Sequence, residues 1–165
     1  MKRIVLTFGL ISGAIISGML LATLPFKDSM DFATGAVIGY ASMVAAGLMV
    51  YFGVRRYRDT VGGGRVGFGR ALAVGLLIVV VSSALYTATW EVMYFGFDSD
   101  FLEKYQAQML AKERARGASD AELAAKRAEM EKFARMYDNP AINAAITFGE
   151  PLPVGARLVQ PALAR

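Results

Sequence analysis

No cysteine and no histidine occur among the 165 residues of this chain. The first absence excludes disulfides, thiol nucleophiles and thiolate metal sites. The second excludes imidazole ligands and imidazole acid–base catalysis. Charge is missing in long blocks as well: Ile4 to Phe26, Phe32 to Val54 and Ala71 to Trp90 carry no acidic or basic side chain. A run of about twenty such residues, rising ~1.5 Å each, crosses a hydrocarbon core of ~30 Å.

What is present agrees with that reading. Hydrophobic residues make up 55% of the sequence, and the mean hydropathy is +0.41, values that suit a multi-pass membrane protein. The length allows one domain. The formal net charge of +4 is unevenly placed. Arg55, Arg56, Arg58, Arg65 and Arg70 crowd the connection between the second and third apolar runs, against one acid, Asp59. Cations held between two spans point to anionic lipid headgroups, not nucleic acid, so these five arginines are the candidate lipid contacts.

The expected class is an all-α membrane bundle with spans over residues 4–26, 32–54 and 71–91. The first run, preceded by Lys2 and Arg3, is too long for a signal-peptide core and lacks a cleavage site before Lys27, so it reads as a retained helix. The Lys27–Asp31 turn has one cation and two acids. By the positive-inside rule the N-terminus and the arginine-rich connection are cytoplasmic and that turn is outside, as in a bacterial inner membrane. Phe26, Phe32, Tyr51, Phe52, Tyr57, Trp90, Tyr94 and Phe95 fall at the expected membrane–water boundaries.

Gly9 and Gly13 form a GxxxG pair in the first run, and Gly35 with Gly39 repeats it in the second. Small residues at this spacing let helices approach closely, within the chain or between copies. Gly62-Gly-Gly-Arg-Val-Gly67-Phe-Gly69 satisfies GxGxxG formally, but a dinucleotide site requires a preceding strand, and a turn that restarts a helix explains it. Ser82, Ser83, Thr87 and Thr89 can bond their own helix or a neighbour. Glu91, at the outer end of the third span, reads as a hydrated or paired carboxylate.

Beyond Phe97 the composition changes. Residues 98–138 hold nine acids and eight bases in a helical pattern. Asp100 is a candidate helix cap, Gly117 a stop, and Ser119-Asp-Ala-Glu122 a capping box for a second helix that Asn139-Pro140 ends. Phe101, Tyr105 and Met109 share one face. Leu123, Met130, Phe133 and Tyr137 form a stripe on the second helix. Together they predict an exterior amphipathic hairpin over 98–138 that closes on itself, rests on the bilayer or receives a partner. Asp98, Asp100 and Glu103 are better explained by a helix start than by a metal, and no metal or cofactor is expected.

The stretches Gly35-Ala-Val-Ile-Gly-Tyr-Ala-Ser-Met43, Phe52-Gly-Val-Arg-Arg-Tyr-Arg-Asp59 and Val66-Gly-Phe-Gly-Arg-Ala71 carry a family resemblance. So do Gly117-Ala-Ser-Asp-Ala-Glu-Leu123, Glu129-Met-Glu131, Met136-Tyr-Asp-Asn-Pro140 and Glu150-Pro-Leu-Pro-Val-Gly155. In combination they resemble the bacterial membrane proteins of domain of unknown function 4199, from Met1 to about Gly155. The resemblance implies four transmembrane helices with the charged segment between the third and fourth, and no established activity. After Gly155 the family continues with an apolar helix, whereas Ala156 to Arg165 includes Arg157, Gln160 and Pro161. Residues 141–165 are therefore expected to be a degraded or truncated fourth span.

Three functions compete at this stage. The first is a non-enzymatic membrane protein that binds lipid, a protein partner or its own copy through the hairpin. The second is an oligomeric transporter or channel subunit, and the third an enzyme of lipid chemistry. The last is least favoured, because no carboxylates cluster in a pocket-forming pattern.

Overall fold

The computed structural model describes residues 1–26, 29–97 and 100–163. Lys27 and Asp28 of the first connection, and Asp98 with its suggested role beside Asp100 and Glu103, lie outside the described residues. Among those described there is helix and no strand: α1 (Lys2–Thr23), α2 (Phe32–Thr60), α3 (Phe68–Gly96), α4 (Phe101–Ala115), α5 (Asp120–Tyr137), α6 (Pro140–Gly149) and α7 (Pro151–Leu163), with a 3-10 turn at Leu24–Phe26. Three helical stretches are long and apolar enough to cross a membrane: Lys2–Phe26, Phe32–Thr60 and Phe68–Gly96.

α2 and α3 outrun the charge-free stretches. Each has 29 residues, or ~43 Å, against a hydrocarbon core of ~30 Å. The surplus turns carry charge: Arg55, Arg56 and Arg58 lie on α2 and Arg70 on α3. Arg58 occupies the last turn of α2, where a cation complements the exposed carbonyls. The connection proper is Val61–Gly67, whose Gly63 and Gly64 have φ of 61° and 86°. That left-handed backbone is one glycine tolerates without strain.

The packing divides the chain into two units, Met1–Thr89 with Thr147–Arg165, and Trp90–Ile146. In the first, α2 packs against both α1 and α7. Its core is built from Val5 of α1, Val50, Val54 and Tyr57 of α2, Ala71, Val74, Ile78 and Val79 of α3, and Val159 and Ala162 of α7. The same helices are apolar on their outer surfaces, where Leu10, Val37, Tyr40, Val44 and Val80 are exposed. A helix hydrophobic all round belongs in a medium that is itself hydrophobic. The tail forms α6 and α7, and α7, 13 residues long and so shorter than the three spans, is the fourth helix of this bundle.

Glycines set the distances. A Cβ on Gly9 would lie 2.6 Å from Val81 Cβ, and one on Gly13 would lie 3.0 Å from Leu85 Cβ, so this pair faces α3. Gly35 and Gly39 meet no comparable neighbour: nothing lies within 4 Å of a Cβ on Gly39. In α2 the close approaches are at Gly47, against Leu158 of α7, and at Gly53, against Ile78 of α3 and Phe8 of α1. Gly75 of α3 meets Val159, and Gly155 of α7 meets Val79. These reciprocal contacts run α7 antiparallel to α3.

In the second unit α4 and α5 pack as a hairpin. Gly117, at φ 91°, ends α4 in the left-handed conformation. Ser119 and Glu122 form the full capping box that starts α5. Asp100 occupies the N-cap position of α4 without a capping bond from its side chain. Its carboxylate is instead 2.9 Å from Lys104 Nζ, one turn on.

Gly155→Leu should force α7 away from α3 and destabilise the bundle by ~1–3 kcal/mol, the usual range for overpacking. Gly39→Leu should change stability by no more than about 0.5 kcal/mol, as surface substitutions do. Unfolding of both variants in detergent micelles reads the difference. Equal effects would mean that α7 is not packed as described.

Candidate functional site

A polar seam runs between the helices of the first unit. Ser82 donates to Ser12 Oγ at 3.0 Å, and Ser12 donates to the Ala46 carbonyl at 3.0 Å, so two bonds tie α3 to α1 and α1 to α2. Further along, Thr89 Oγ1 lies 3.0 Å from Ser17 Oγ and 2.9 Å from the Leu85 carbonyl oxygen. Gly9 and Gly13 make this possible, because bulkier residues would hold α1 beyond hydroxyl reach. Beside Ser12 and Ser82, a cavity of about 10 Å³ extends to Met43, Gly47, Pro151 and Gly155. It has room for about one water, far less than an ordinary ligand pocket of ~300–1,000 Å³.

A second polar group gathers where α6 gives way to α7. Tyr86 donates its hydroxyl to Glu150 Oε2 at 3.1 Å. Tyr86 is buried and Glu150 is exposed. One turn before Tyr86 on α3, Ser83 is fully buried, and Ser83 Oγ and Thr87 Oγ1, four residues apart, are shielded from solvent without a hydrogen-bond partner. Thr147, one turn before Glu150, is also buried. The break between the helices follows from sequence: Pro151 and Pro153 supply no N–H to the preceding turn. The Glu150 amide instead reaches the Thr147 carbonyl at 3.3 Å. Sequence reasoning passed over this site; the available signal was a carboxylate followed by Pro-x-Pro between two apolar segments.

The second unit holds an aromatic cluster. Trp90 donates to Asn143 Oδ1 at 3.0 Å and lies with its ring 5.2 Å from that of Phe101. Tyr94 donates to Asp138 Oδ1 at 2.9 Å, and its ring is 5.5 Å from that of Tyr137. Trp90 and Tyr94, expected at a membrane–water boundary, are buried in this cluster. Glu91 is half-buried, and its Oε1 has no partner among the described residues.

The expected hairpin stripe divides. Met130 and Tyr137 are buried, Leu123 is half-buried, and Phe133 is 44% exposed. Gln106 of α4 fixes the pairing by donating to the Met130 carbonyl at 3.1 Å. Phe133 stacks on Tyr137 with ring centroids 5.4 Å apart and leaves its other face open beside exposed Met136.

The arginines remain at one end of the first unit. Asp59 takes both Arg58 Nε, at 2.8 Å, and Arg55 Nε, at 3.9 Å. Arg55, Arg56, Arg65 and Arg70 are exposed, and among the described residues no acid pairs with Arg56, Arg65 or Arg70.

A family model described as "Protein of unknown function (DUF4199)" matches residues 7–159. No curated protein and no solved structure matches the chain.

The capping box that aims the stripe is pH-sensitive. Bonds from the Ser119 amide and hydroxyl hold the Glu122 carboxyl below its ordinary value. Folding then favours the ionised form, so the cap contributes fully above the ordinary carboxylate range and is lost as pH falls through the lowered folded value. Acidification should speed amide exchange in the first turn of α5. Glu122→Gln should flatten that dependence, and an undiminished acid response in this variant would assign it to another group.

Proposed function

This chain belongs to the DUF4199 family, and from that premise we propose a non-enzymatic protein of the bacterial inner membrane. It holds anionic lipid at its arginine-rich connection and uses the α4–α5 hairpin as its interaction surface. The observation that carries this reading is the imbalance around Asp59. Five arginines share one acid, and three of them have no ion pair among the described residues. Over residues 98–138, by contrast, nine acids nearly cancel eight bases, and some pair directly: Lys104 with Asp100, Arg116 with Glu113 and Lys126 with Glu129. Unbalanced cations just past the end of an apolar helix suit an anionic headgroup layer.

The same arginines orient the chain, with the N-terminus and the Val61–Gly67 connection in the cytoplasm and the hairpin outside. The hairpin is half closed on itself. Burial of Met130, whose carbonyl accepts from Gln106 of α4, supports self-packing as its scaffold, Tyr137 rests on Tyr94 of α3, and exposed Phe133 and Met136 supply the apolar edge that meets the bilayer surface or a protein partner. A second reading, an oligomeric transporter or channel subunit, is favoured by Glu150, a carboxylate set beside the apolar stretch of α3.

Replacing Arg55, Arg56 and Arg58 with Gln should weaken preference for anionic over neutral nanodiscs by ~2–3 kcal/mol at low salt, at about 1 kcal/mol per cation. An unchanged preference would limit these arginines to setting topology. Orientation is checked separately with single cysteines at Gly63 and Ser119, since the chain has none of its own. An impermeant thiol reagent applied to intact cells should label Ser119→Cys and spare Gly63→Cys. Labelling of both would contradict the assignment.

A further inference from the structure

We propose that Arg157 of α7 holds the phosphate of one anionic phospholipid, whose acyl chains lie along Val37, Val44 and Leu48 of α2. Gly155 meets Val79 and Gly75 meets Val159, so Arg157, between them on α7, stands level with Leu77 of α3. That is seven residues inside Arg70, ~10 Å along the helix. The charge-free stretch of α3, Ala71–Trp90, matches a hydrocarbon core of ~30 Å, and Leu77 falls within it. Arg157 is exposed, and a guanidinium at that depth is costly unless an opposite charge meets it. The site rests on the membrane reading of the chain but not on the Val61–Gly67 connection.

Among the described residues Arg157 makes no ion pair and no hydrogen bond. The described acids of the first unit are engaged elsewhere. Asp31 accepts from the Thr34 amide at 2.6 Å, Asp59 takes Arg58 and Arg55, and Glu150 accepts from Tyr86. A second copy packed on α7 through this unit therefore brings no spare carboxylate to that depth. A lipid phosphate can be drawn inward to the cation, and the guanidinium fork suits it through paired N–H donors. Because α7 runs antiparallel to α3, that phosphate comes from the leaflet bordered by Arg70.

The helix faces supply the rest of the site. Gly47 of α2 meets Leu158 and Val154 of α7, while Gly155 of α7 and Val50 and Val54 of α2 turn to α3. By helical rotation Arg157 lies on the far side of Val154 and Leu158 from α3. The corresponding flank of α2 carries Val37, Val44, Leu48 and Arg55, at spacings of seven, four and seven residues along one face. The three apolar members are exposed, and so is Arg55 where the stripe leaves the apolar stretch. A phosphate at Arg157 thus has an apolar track for its chains on one side and a second cation toward the membrane surface. Around Arg157 the outer face of α7 is small, with Pro153, Ala156 and Pro161 exposed, which leaves room for a headgroup.

The test is native mass spectrometry of the full-length protein in detergent, titrated with phosphatidylglycerol or phosphatidylcholine. The wild-type chain should retain one phosphatidylglycerol in preference to phosphatidylcholine. Arg157→Gln should weaken that retention roughly tenfold, as loss of a charge-assisted contact does, and Arg157→Lys should restore most of it. Leu48→Glu, which sets a negative charge on the same track, should weaken it too and serves should Arg157→Gln fail to fold. Arg65→Gln combined with Arg70→Gln should leave this lipid in place. If that double variant loses the lipid and Arg157→Gln keeps it, the proposal is overturned while the lipid reading of the connection stands. Equal retention of the two lipids, displacement by inorganic phosphate, or a lipid-free dimer in its place would overturn it as well.

Discussion

Close approach of helix backbones is the constraint on which the first unit depends. In an apolar surrounding, burial of one more leucine gains little, because the medium is as apolar as the side chain. Cohesion must come from dense contact and from hydrogen bonds that the medium cannot replace. Gly9 and Gly13 bring α1 onto α3, Gly47 brings α2 onto α7, and Gly75 with Gly155 interlocks α3 and α7. Once the backbones are this near, short side chains reach across. The Ser82–Ser12–Ala46 relay joins three helices with two bonds because none of the intervening positions is large.

The same constraint separates two kinds of polar residue. Ser12, Ser17, Ser82 and Thr89 bond to one another or to backbone, and they read as cohesion. Ser83 and Thr87 are equally shielded and have no such partner. They stand four residues apart on α3, the spacing of neighbours on one helical face. Satisfied hydroxyls hold a bundle together, whereas unsatisfied ones add no bond to it. The arginines at the end of α2 and the apolar edge of the hairpin are then separate surfaces for lipid or a partner.

Much of the architecture was legible because its causes are local. Charge-free runs of span length, the Ser119–Glu122 capping box and the Gly117 stop each declare themselves within a few residues. The choice among glycines did not. A helix apolar on every side has no polar face to show which way it points, so the GxxxG spacing drew attention to Gly35 and Gly39 and none to Gly47 and Gly53, which make the close approaches within the chain. Only tertiary contact distinguishes them. The hydrogen bonds of Trp90 to Asn143 and of Tyr94 to Asp138 were hidden for a related reason, since an amphipathic ring suits a buried hydrogen-bonded cluster as well as a lipid boundary. Asp100 pairs with Lys104 where a cap was expected, a choice between two neighbours of similar worth. The tail was hardest: Arg157 and Pro161 argued against a membrane helix, while the facts that decide its packing, Gly155 on Val79 and Gly75 on Val159, join residues some eighty positions apart in sequence.

All of this rests on α7 being seated against α3, which places Glu150 at Tyr86. The cysteine-free chain permits a direct measurement: Gly75→Cys combined with Val159→Cys, expressed in native membranes, oxidised mildly and assayed for free thiols with a maleimide polymer before and after reduction. The seated helix predicts that the pair forms an intramolecular disulfide and resists labelling until reduced, while Gly39→Cys with Val159→Cys stays open to labelling throughout. Free thiols at positions 75 and 159 under oxidising conditions, equal to those of the control pair, would contradict the account.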